Sequence, residues 1–102
     1  MNKFIGEIIG DPALLEQLAE ECNELSQSAL KLARKMRNEN PTPKTTEEIL
    51  ENFQEEVADV QLCLSELNQS GLFDLNEMTL MAQYKLTRWY MRLVEAGKDI
   101  TK

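Results

Sequence analysis

Apolar residues recur along this chain in alternating steps of three and four, which is the spacing of one face of an α-helix. The first run is Leu15, Leu18, Cys22, Leu25, Ala29, Leu32 and Met36. The second run is Leu50, Phe53, Val57, Val60, Leu64 and Leu67. The third run is Met78, Ala82, Leu86, Trp89 and Leu93. The pattern predicts an all-α helical bundle of three main helices, with the first two forming an antiparallel hairpin.

Capping residues delimit the three predicted helices. The N-terminal signals are Asp11 before Pro12, Thr45 with Glu48, and Asp74 with Glu77, and the C-terminal signals are Gly71 and Gly97. We therefore predict helices over 12–37, 46–70 and 75–96, with a proline-containing connection over 38–44. Residues 1–10 are predicted to form a short helix or an arm that packs on a partner.

Length and composition favour a single domain over residues 1–102. The net charge of −7 and the pI near 4.6 argue against a nucleic-acid partner and against binding to an anionic membrane. The chain has no His, which excludes Ser-His-Asp catalysis and the usual zinc sites. Cys22 and Cys63 are predicted to be reduced, buried thiols. The first ten residues do not resemble a signal peptide, so we predict a cytoplasmic location.

Two pairs of acidic residues accompany the first two apolar runs. The pairs are Glu21 with Glu24 and Glu56 with Asp59, and each acid stands one position before an apolar residue of its run. A spacing of three puts both carboxylates of a pair on one face of a helix. Because the offset is the same in both runs, antiparallel packing would bring the pairs to one flank of the apolar seam. The pairs also lie equally far from the connection, so we expect them at the same height along the hairpin.

Four converging carboxylates repel one another unless a proton or a cation lies between them. The spacing therefore predicts a site for a hard cation beside the seam. Oxygen ligands without His favour Mg²⁺, with Mn²⁺ as a substitute, over zinc.

Basic residues on the third predicted helix supply the opposite charge. Lys85, Arg88 and Arg92 each stand one position before a residue of the third apolar run, and Lys31 continues the acidic flank of the first helix. Metal-binding carboxylates together with such cations are suited to holding a polyphosphate. We therefore predict phosphate contacts for Lys31, Lys85 and Arg88, whereas Trp89 is either a core residue or a platform on which a base stacks.

With these residues the sequence resembles the MazG-like, all-α nucleoside triphosphate pyrophosphohydrolases. The family signature is EExxE on one helix and ExxD on the next. Here it reads Glu20-Glu21-Cys22-Asn23-Glu24 and then Glu56-Val57-Ala58-Asp59. The resemblance covers roughly residues 13–95 of the chain.

The resemblance implies that Glu21, Glu24, Glu56 and Asp59 bind Mg²⁺, and that Glu20 or Glu24 accepts the proton of the attacking water. The implied reaction is hydrolysis of a nucleoside or deoxynucleoside triphosphate to a monophosphate and pyrophosphate by metal-activated water. Removal of modified nucleotides is the physiological role that this activity suggests. The resemblance also implies an assembly of several copies.

Two alternatives stay open at this point. The chain could be an acidic helical module that dimerises without catalysis, or a phosphohydrolase that uses the same metal site on another phosphorylated metabolite. In each case, apolar runs on all three helices exceed what one hairpin and one further helix can cover. We therefore predict that the bundle is completed in a homodimer or homotetramer.

Overall fold

The structure is a computed structural model that describes residues 2–39 and 43–102. Within these two ranges, four helices follow one another: α1 Ile5–Ile9, α2 Asp11–Met36, α3 Thr46–Gln69 and α4 Leu75–Glu95. Every regular element in the described residues is a helix, which confirms the predicted all-α class. The bounds of α2, α3 and α4 lie within one residue of the predicted ones. Residues 40–42 of the predicted connection lie outside the described part of the chain.

The chain divides into two compact units, Met1–Ser70 and Gly71–Lys102. In the first unit, α2 and α3 pack against each other and α1 packs against both. The hairpin is antiparallel: Asn52 near the start of α3 donates from Nδ2 to the Ser28 hydroxyl in the second half of α2, whereas Asp59, later in α3, lies beside Glu21, earlier in α2. Its core consists of Leu14, Leu32, Ile49, Cys63 and Leu67.

The seam between α2 and α3 is rotated by about one residue from the predicted apolar runs. On α2 the seam positions, all buried or half-buried, are Leu14, Leu18, Glu21, Leu25, Ser28, Leu32 and Lys35, and Asp11 and Ala33 beside them are half-buried as well. On α3 the corresponding positions are Ile49, Phe53, Glu56, Val60, Cys63 and Leu67, with Ser70 just after the helix, and Val57, Leu64, Glu66 and Asn68 are half-buried as well. Both sets keep the alternating four and three spacing of a packed helix pair. The expectation that the acids stand beside the seam was therefore wrong for Glu21 and Glu56, which lie in it.

The rotation leaves part of the α2 apolar run outside the seam. Leu15, Cys22, Ala29 and Met36, which were expected to be buried, are exposed. An apolar arc on a helix can be wider than the strip that one neighbouring helix covers, and the uncovered part then faces outward. The prediction of two buried thiols accordingly holds for Cys63 and is wrong for Cys22.

Local capping explains where the helices begin and end. Thr45 and Glu48 form the predicted capping box, in which the Thr45 hydroxyl accepts from the Glu48 N–H at 3.1 Å. The Asp74 carboxylate accepts from the first N–H groups of α4, also as predicted. Asp11, by contrast, is not an N-cap: Gly10, with φ of 88°, ends α1 and begins α2, so Asp11 is already the first helical residue. Its carboxylate still stands at the favourable end of the helix dipole.

Residues 5–9 adopt the short helix that was one of two expectations for the N-terminus. This helix lies against the open end of the hairpin. The Ile5 N–H donates to the Glu66 carboxylate at 3.3 Å. A Cβ at Gly6 would collide with the Ser70 hydroxyl and crowd the Asp11 carboxylate, so a larger residue at this position would require the Ser70 side chain to move.

In the second unit, α4 buries none of its residues. Met78, Leu86 and Trp89 of the predicted run are exposed. Leu80, Tyr84, Met91 and Val94, on another side of the same helix, are exposed as well. No helix in the described ranges is both long enough and apolar enough to cross a membrane.

Candidate metal centre

The hairpin brings the four predicted acids together from two helices. Each of Glu21, Glu24, Glu56 and Asp59 offers one carboxylate oxygen, and these oxygens all lie within 4.8 Å of one another. Glu21 and Glu24 lie one turn apart on α2, and Glu56 and Asp59 lie one turn apart on α3. The antiparallel direction of the helices then matches the two pairs in height.

Burial divides the four acids into two kinds. Glu21 and Glu56 are half-buried seam residues, whereas Glu24 and Asp59 are exposed at its edge. The Oε2 atoms of Glu21 and Glu56 are buried and have no hydrogen-bond partner among the described residues. The Glu21 Oε1 atom accepts a bond from the Gln17 side-chain amide at 2.8 Å. A buried carboxylate oxygen without a partner is costly in a folded protein, so a hydrogen-bond donor or a cation at these two atoms would be stabilising.

The pKa values of two of the acids also indicate that the cluster carries an excess of negative charge. Burial raises the pKa of Glu21, and the neighbouring charges of Glu24 and Asp59 raise it further against the lowering effect of Gln17. The negative charge of Glu56 is the main cause that raises the pKa of Glu24, with burial and Asp59 adding to it. The cluster therefore stabilises whatever removes negative charge from it, either protons or a metal ion.

The donor set fits a hard divalent cation. Four carboxylates on two helices offer only oxygen, which is the ligand type that Mg²⁺ and Mn²⁺ prefer. Cys63 lies near these acids, but burial, followed by the charges of Glu21 and Asp59, raises the pKa of its thiol. A protonated thiol is a poor metal ligand and a poor nucleophile.

Sequence reasoning missed three polar residues around the acids. Ser28 is buried in the seam with 2% of its surface exposed, and the Asn52 amide donates to its hydroxyl at 3.2 Å. This bond joins α2 to α3 one helical turn from Glu24 and Glu56. Gln17 orients Glu21 from the preceding turn. The signal was present, because Ser28 follows Glu21 by one heptad and Asn52 precedes Glu56 by one turn.

Two other predicted site residues on α2 lie outside the group of four. Glu20 is exposed and is not one of the clustered acids. Lys31 is also exposed, two turns after Glu24 on the same side of α2. Neither side chain is part of the core, and both can contact a bound ligand.

The predicted phosphate ligands of α4 lie together in the second unit. Lys85, Arg88, Trp89 and Arg92 line one surface groove with Leu93. The Arg88 guanidinium lies 5.8 Å from the centre of the Tyr84 ring, within the range of a cation–π contact. Trp89 has 64% of its surface exposed, so it is not the core residue that was one of its two expected roles.

No protein-family model, no curated protein and no solved structure matches this chain.

Proposed function

We propose that this protein is a Mg²⁺-dependent nucleoside triphosphate pyrophosphohydrolase of the MazG-like type, for which Mn²⁺ can replace Mg²⁺. One observation carries the proposal: four carboxylates from two helices converge within 4.8 Å, and two of their buried oxygens have no partner among the described residues. A solvated acidic surface needs neither the convergence nor the burial. A metal site needs the convergence, and a bound cation would offset the cost of the burial.

The proposed reaction splits the linkage between the α- and β-phosphates. The oxygen of a water molecule forms a bond to one of these phosphorus atoms, and the bridging P–O bond breaks. The bridging oxygen keeps the electron pair, and a carboxylate takes the proton of the water. A bound divalent cation supplies charge neutralisation at the phosphates and lowers the pKa of the water.

The chain's own residues take separate roles in this proposal. Glu21, Glu24, Glu56 and Asp59 hold the cation, and Glu20 or Glu24 accepts the proton. Lys31, Lys85 and Arg88 bind phosphate oxygens, and Trp89 offers an exposed ring on which a base can stack. The net charge of −7 would otherwise repel a triphosphate, so these cations are needed for binding.

We also propose that the protein functions as a homodimer or homotetramer. Exposed apolar side chains on two sides of α4 support this, since a helix that is apolar on more than one side is normally buried between neighbours. Leu80 and Met91, for example, which share one side of α4, have 67% and 58% of their surfaces exposed. An exposed apolar surface of this kind marks a protein contact.

Product analysis in ¹⁸O-labelled water tests the reaction. Incubation with nucleoside and deoxynucleoside triphosphates and Mg²⁺ should give monophosphate and pyrophosphate, one of which carries the label. Orthophosphate as the primary product would contradict cleavage at the α–β linkage. Absence of turnover with either metal over a panel of common and modified nucleotides would contradict the enzymatic assignment.

Replacement of a single acid tests the site itself. Asp59→Asn keeps the shape of the side chain and removes one charge from the cluster. We expect it to lower activity by at least about 10–100-fold, the loss typical of residues that only support metal ligands, and to weaken the stabilisation by Mg²⁺. Glu55→Gln is the matched control, because Glu55 is exposed on α3 outside the cluster. If Asp59→Asn lost activity with the Mg²⁺ response intact, Asp59 would not bind the metal.

Glu20→Gln separates the two candidate proton acceptors. Loss of activity with an unchanged thermal response to Mg²⁺ would assign the proton transfer to Glu20. Full activity would leave Glu24 as the acceptor. The readout is the melting temperature with and without Mg²⁺, measured beside the rate.

A non-enzymatic dimerisation module is the second candidate, because the exposed apolar surface supports association without any chemistry. The thermal response to Mg²⁺ distinguishes the two. A preformed carboxylate site gains about 2.7 kcal/mol of stability when the metal concentration is 100 times its dissociation constant. A plain helical module should be nearly indifferent to the metal.

A further inference from the structure

The two sides of the α2–α3 seam carry different chemistry. On the side of the acids, the seam residues Leu18, Leu25 and Leu32 are each preceded by a polar or charged residue. On the other side, the residues that follow Leu14, Glu21, Ser28 and Lys35 are all apolar or small. These are Leu15, Cys22, Ala29 and Met36, and all four are exposed. In a packed helix pair, such preceding and following positions flank the seam on opposite sides.

This second side continues as a face without charge across both helices. On α2, the next residues around the helix are Ala19, Ser26 and Ala33. On α3, the same side carries Leu50, Val57 and Leu64, with the amides Gln54 and Gln61 beyond them. None of these residues is charged, although 28% of the chain is. Glu47, one heptad before Gln54, is an exposed charge at the edge of this surface. We call the surface formed by the uncharged residues the charge-free face.

Side-chain size on the α2 part of the charge-free face is symmetric about Ser26. Large residues, Leu15 and Met36, stand at the two ends, at almost equal distances from Ser26. Between them, Ala19 and Ala33 lie at equal distances along the sequence on either side of Ser26. Cys22 and Ala29 do so to within one residue. Two copies of α2 that cross antiparallel at Ser26 would therefore place small residues against small ones, while each Leu15 meets a Met36. A surface that complements its own copy is what a two-fold interface requires.

We propose that the charge-free face is the contact between two copies of this chain, with the two-fold axis beside Ser26. Charge favours a second copy over an unrelated partner. Copies of a chain with a net charge of −7 repel one another, and the repulsion at the contact is least where the face carries no charge. An unrelated partner could instead use the abundant charges as complementary pairs.

The size of the face is adequate for a stable dimer. From Leu15 to Met36 the helix rises about 32 Å, and two packed helices span about 20 Å, at 1.5 Å per residue and a diameter of about 10 Å. The resulting area of roughly 600 Å² per copy approaches the about 800 Å² per partner of standard interfaces.

This inference rests on the proposed oligomer but not on the metal site or the reaction. The test is Ser26→Glu, which adds one charge where the two copies are closest, compared with Gln27→Glu, which adds the same charge at the next, exposed position of α2. Sedimentation equilibrium should show that Ser26→Glu weakens association at least tenfold and that Gln27→Glu changes it less than twofold. In a tetramer, Ser26→Glu should give dimers. Circular dichroism on the same samples checks that both variants are folded.

Cross-linking provides a second readout that does not depend on weakening the assembly. Under mild oxidation, Ser26→Cys should form a disulfide-linked dimer, because residue 26 meets its own copy at the axis. Gln27→Cys should not, and it controls for the exposed thiol of Cys22. An oligomer that Ser26→Glu leaves intact and Ser26→Cys does not cross-link would overturn the assigned face while leaving the proposed oligomer standing. A monomeric wild type would overturn both, whereas the Mg²⁺ response would still report on the metal site.

Discussion

The acid side and the charge-free face of the hairpin border the same seam and are built by the same two helices. One side gathers four carboxylates within 4.8 Å, and the other carries no charge from Leu15 to Met36. The seam itself belongs partly to each, because it contains Glu21 and Glu56 as well as the leucines. A single helix can therefore serve a chemical site on one flank and a packing surface on the other, provided that the seam lies between them.

The position of the seam is what separates these two sides. If α2 were turned by one residue toward its apolar run, Cys22 and Ala29 would be buried and Glu21 would be freely solvated. The observed rotation instead buries part of two carboxylates and exposes apolar side chains. Both consequences are unfavourable in an isolated, metal-free hairpin. In our proposals, each one would be relieved by a different partner, a cation on one side and a second copy on the other.

The largest expected effect on stability comes from a test of which α3 residues face the seam. Ile49 and Leu50 are neighbours on α3, with 6% and 40% of their surfaces exposed, although only Leu50 belonged to the predicted run. Ile49→Ala should lower the free energy of unfolding by about 2–5 kcal/mol, as core truncations do, and Leu50→Ala by less than about 1 kcal/mol. Urea denaturation of both variants in the Ser26→Glu background removes the contribution of assembly. A larger loss for Leu50→Ala would restore the register predicted from the sequence.

A smaller effect is expected from filling the seam. Glu56→Leu replaces a partly buried carboxylate, with its unpartnered oxygen, by an apolar side chain. Without metal, the variant should be more stable by about 1–3 kcal/mol, the cost of such an unsatisfied atom. Glu55→Leu, at an exposed position, is the control and should change stability little. The more stable variant should no longer respond to Mg²⁺, and a loss of stability would show that Glu56 already has a favourable partner.

The smallest effect is on the pH dependence of the metal-free protein. The pKa values of Glu21 and Glu24 are raised above 4.5, so the folded chain holds these protons more tightly than the unfolded chain does. Their contribution to stability is complete below pH 4.5 and is lost as the pH rises through the raised values. Relative to Glu24→Gln, which cannot titrate at this position, the wild type should therefore lose stability with rising pH. Saturating Mg²⁺ should remove this loss from the wild type, because the cation takes the place of the protons.

A pH profile of stability measured by urea denaturation for both proteins checks this expectation. Asp99 changes in the opposite sense, because its hydrogen bonds from Thr101 lower the pKa of its carboxyl, but it is common to both proteins and cancels in the comparison. A difference that is flat from pH 4.5 upward would contradict the electrostatic account of the cluster.

The sequence predicted the helices and the acidic cluster from features that act locally. The Thr45–Glu48 box and the Asp74 cap depend on helix geometry alone. The spacing of Glu21 with Glu24 and of Glu56 with Asp59 puts each pair on one face of its helix, and antiparallel packing then brings the two pairs to the same height. The register of the seam was not predictable in this way. Leu18, Leu25 and Leu32 belong both to the apolar run and to the observed seam, so the run on α2 is compatible with two rotations. Which rotation occurs depends on Leu14 and Ser28, whose burial is a property of the packed pair.

The close approach of Gly6 to Ser70 joins two positions that are 64 residues apart in the sequence. A side chain at position 6 would need the space that the Ser70 hydroxyl occupies, and the Asp11 carboxylate leaves little room on the other side. A larger residue at position 6 therefore favours a change at position 70. In related sequences, a residue other than glycine at position 6 should occur together with a smaller residue at position 70. The contact should therefore be visible as paired substitutions.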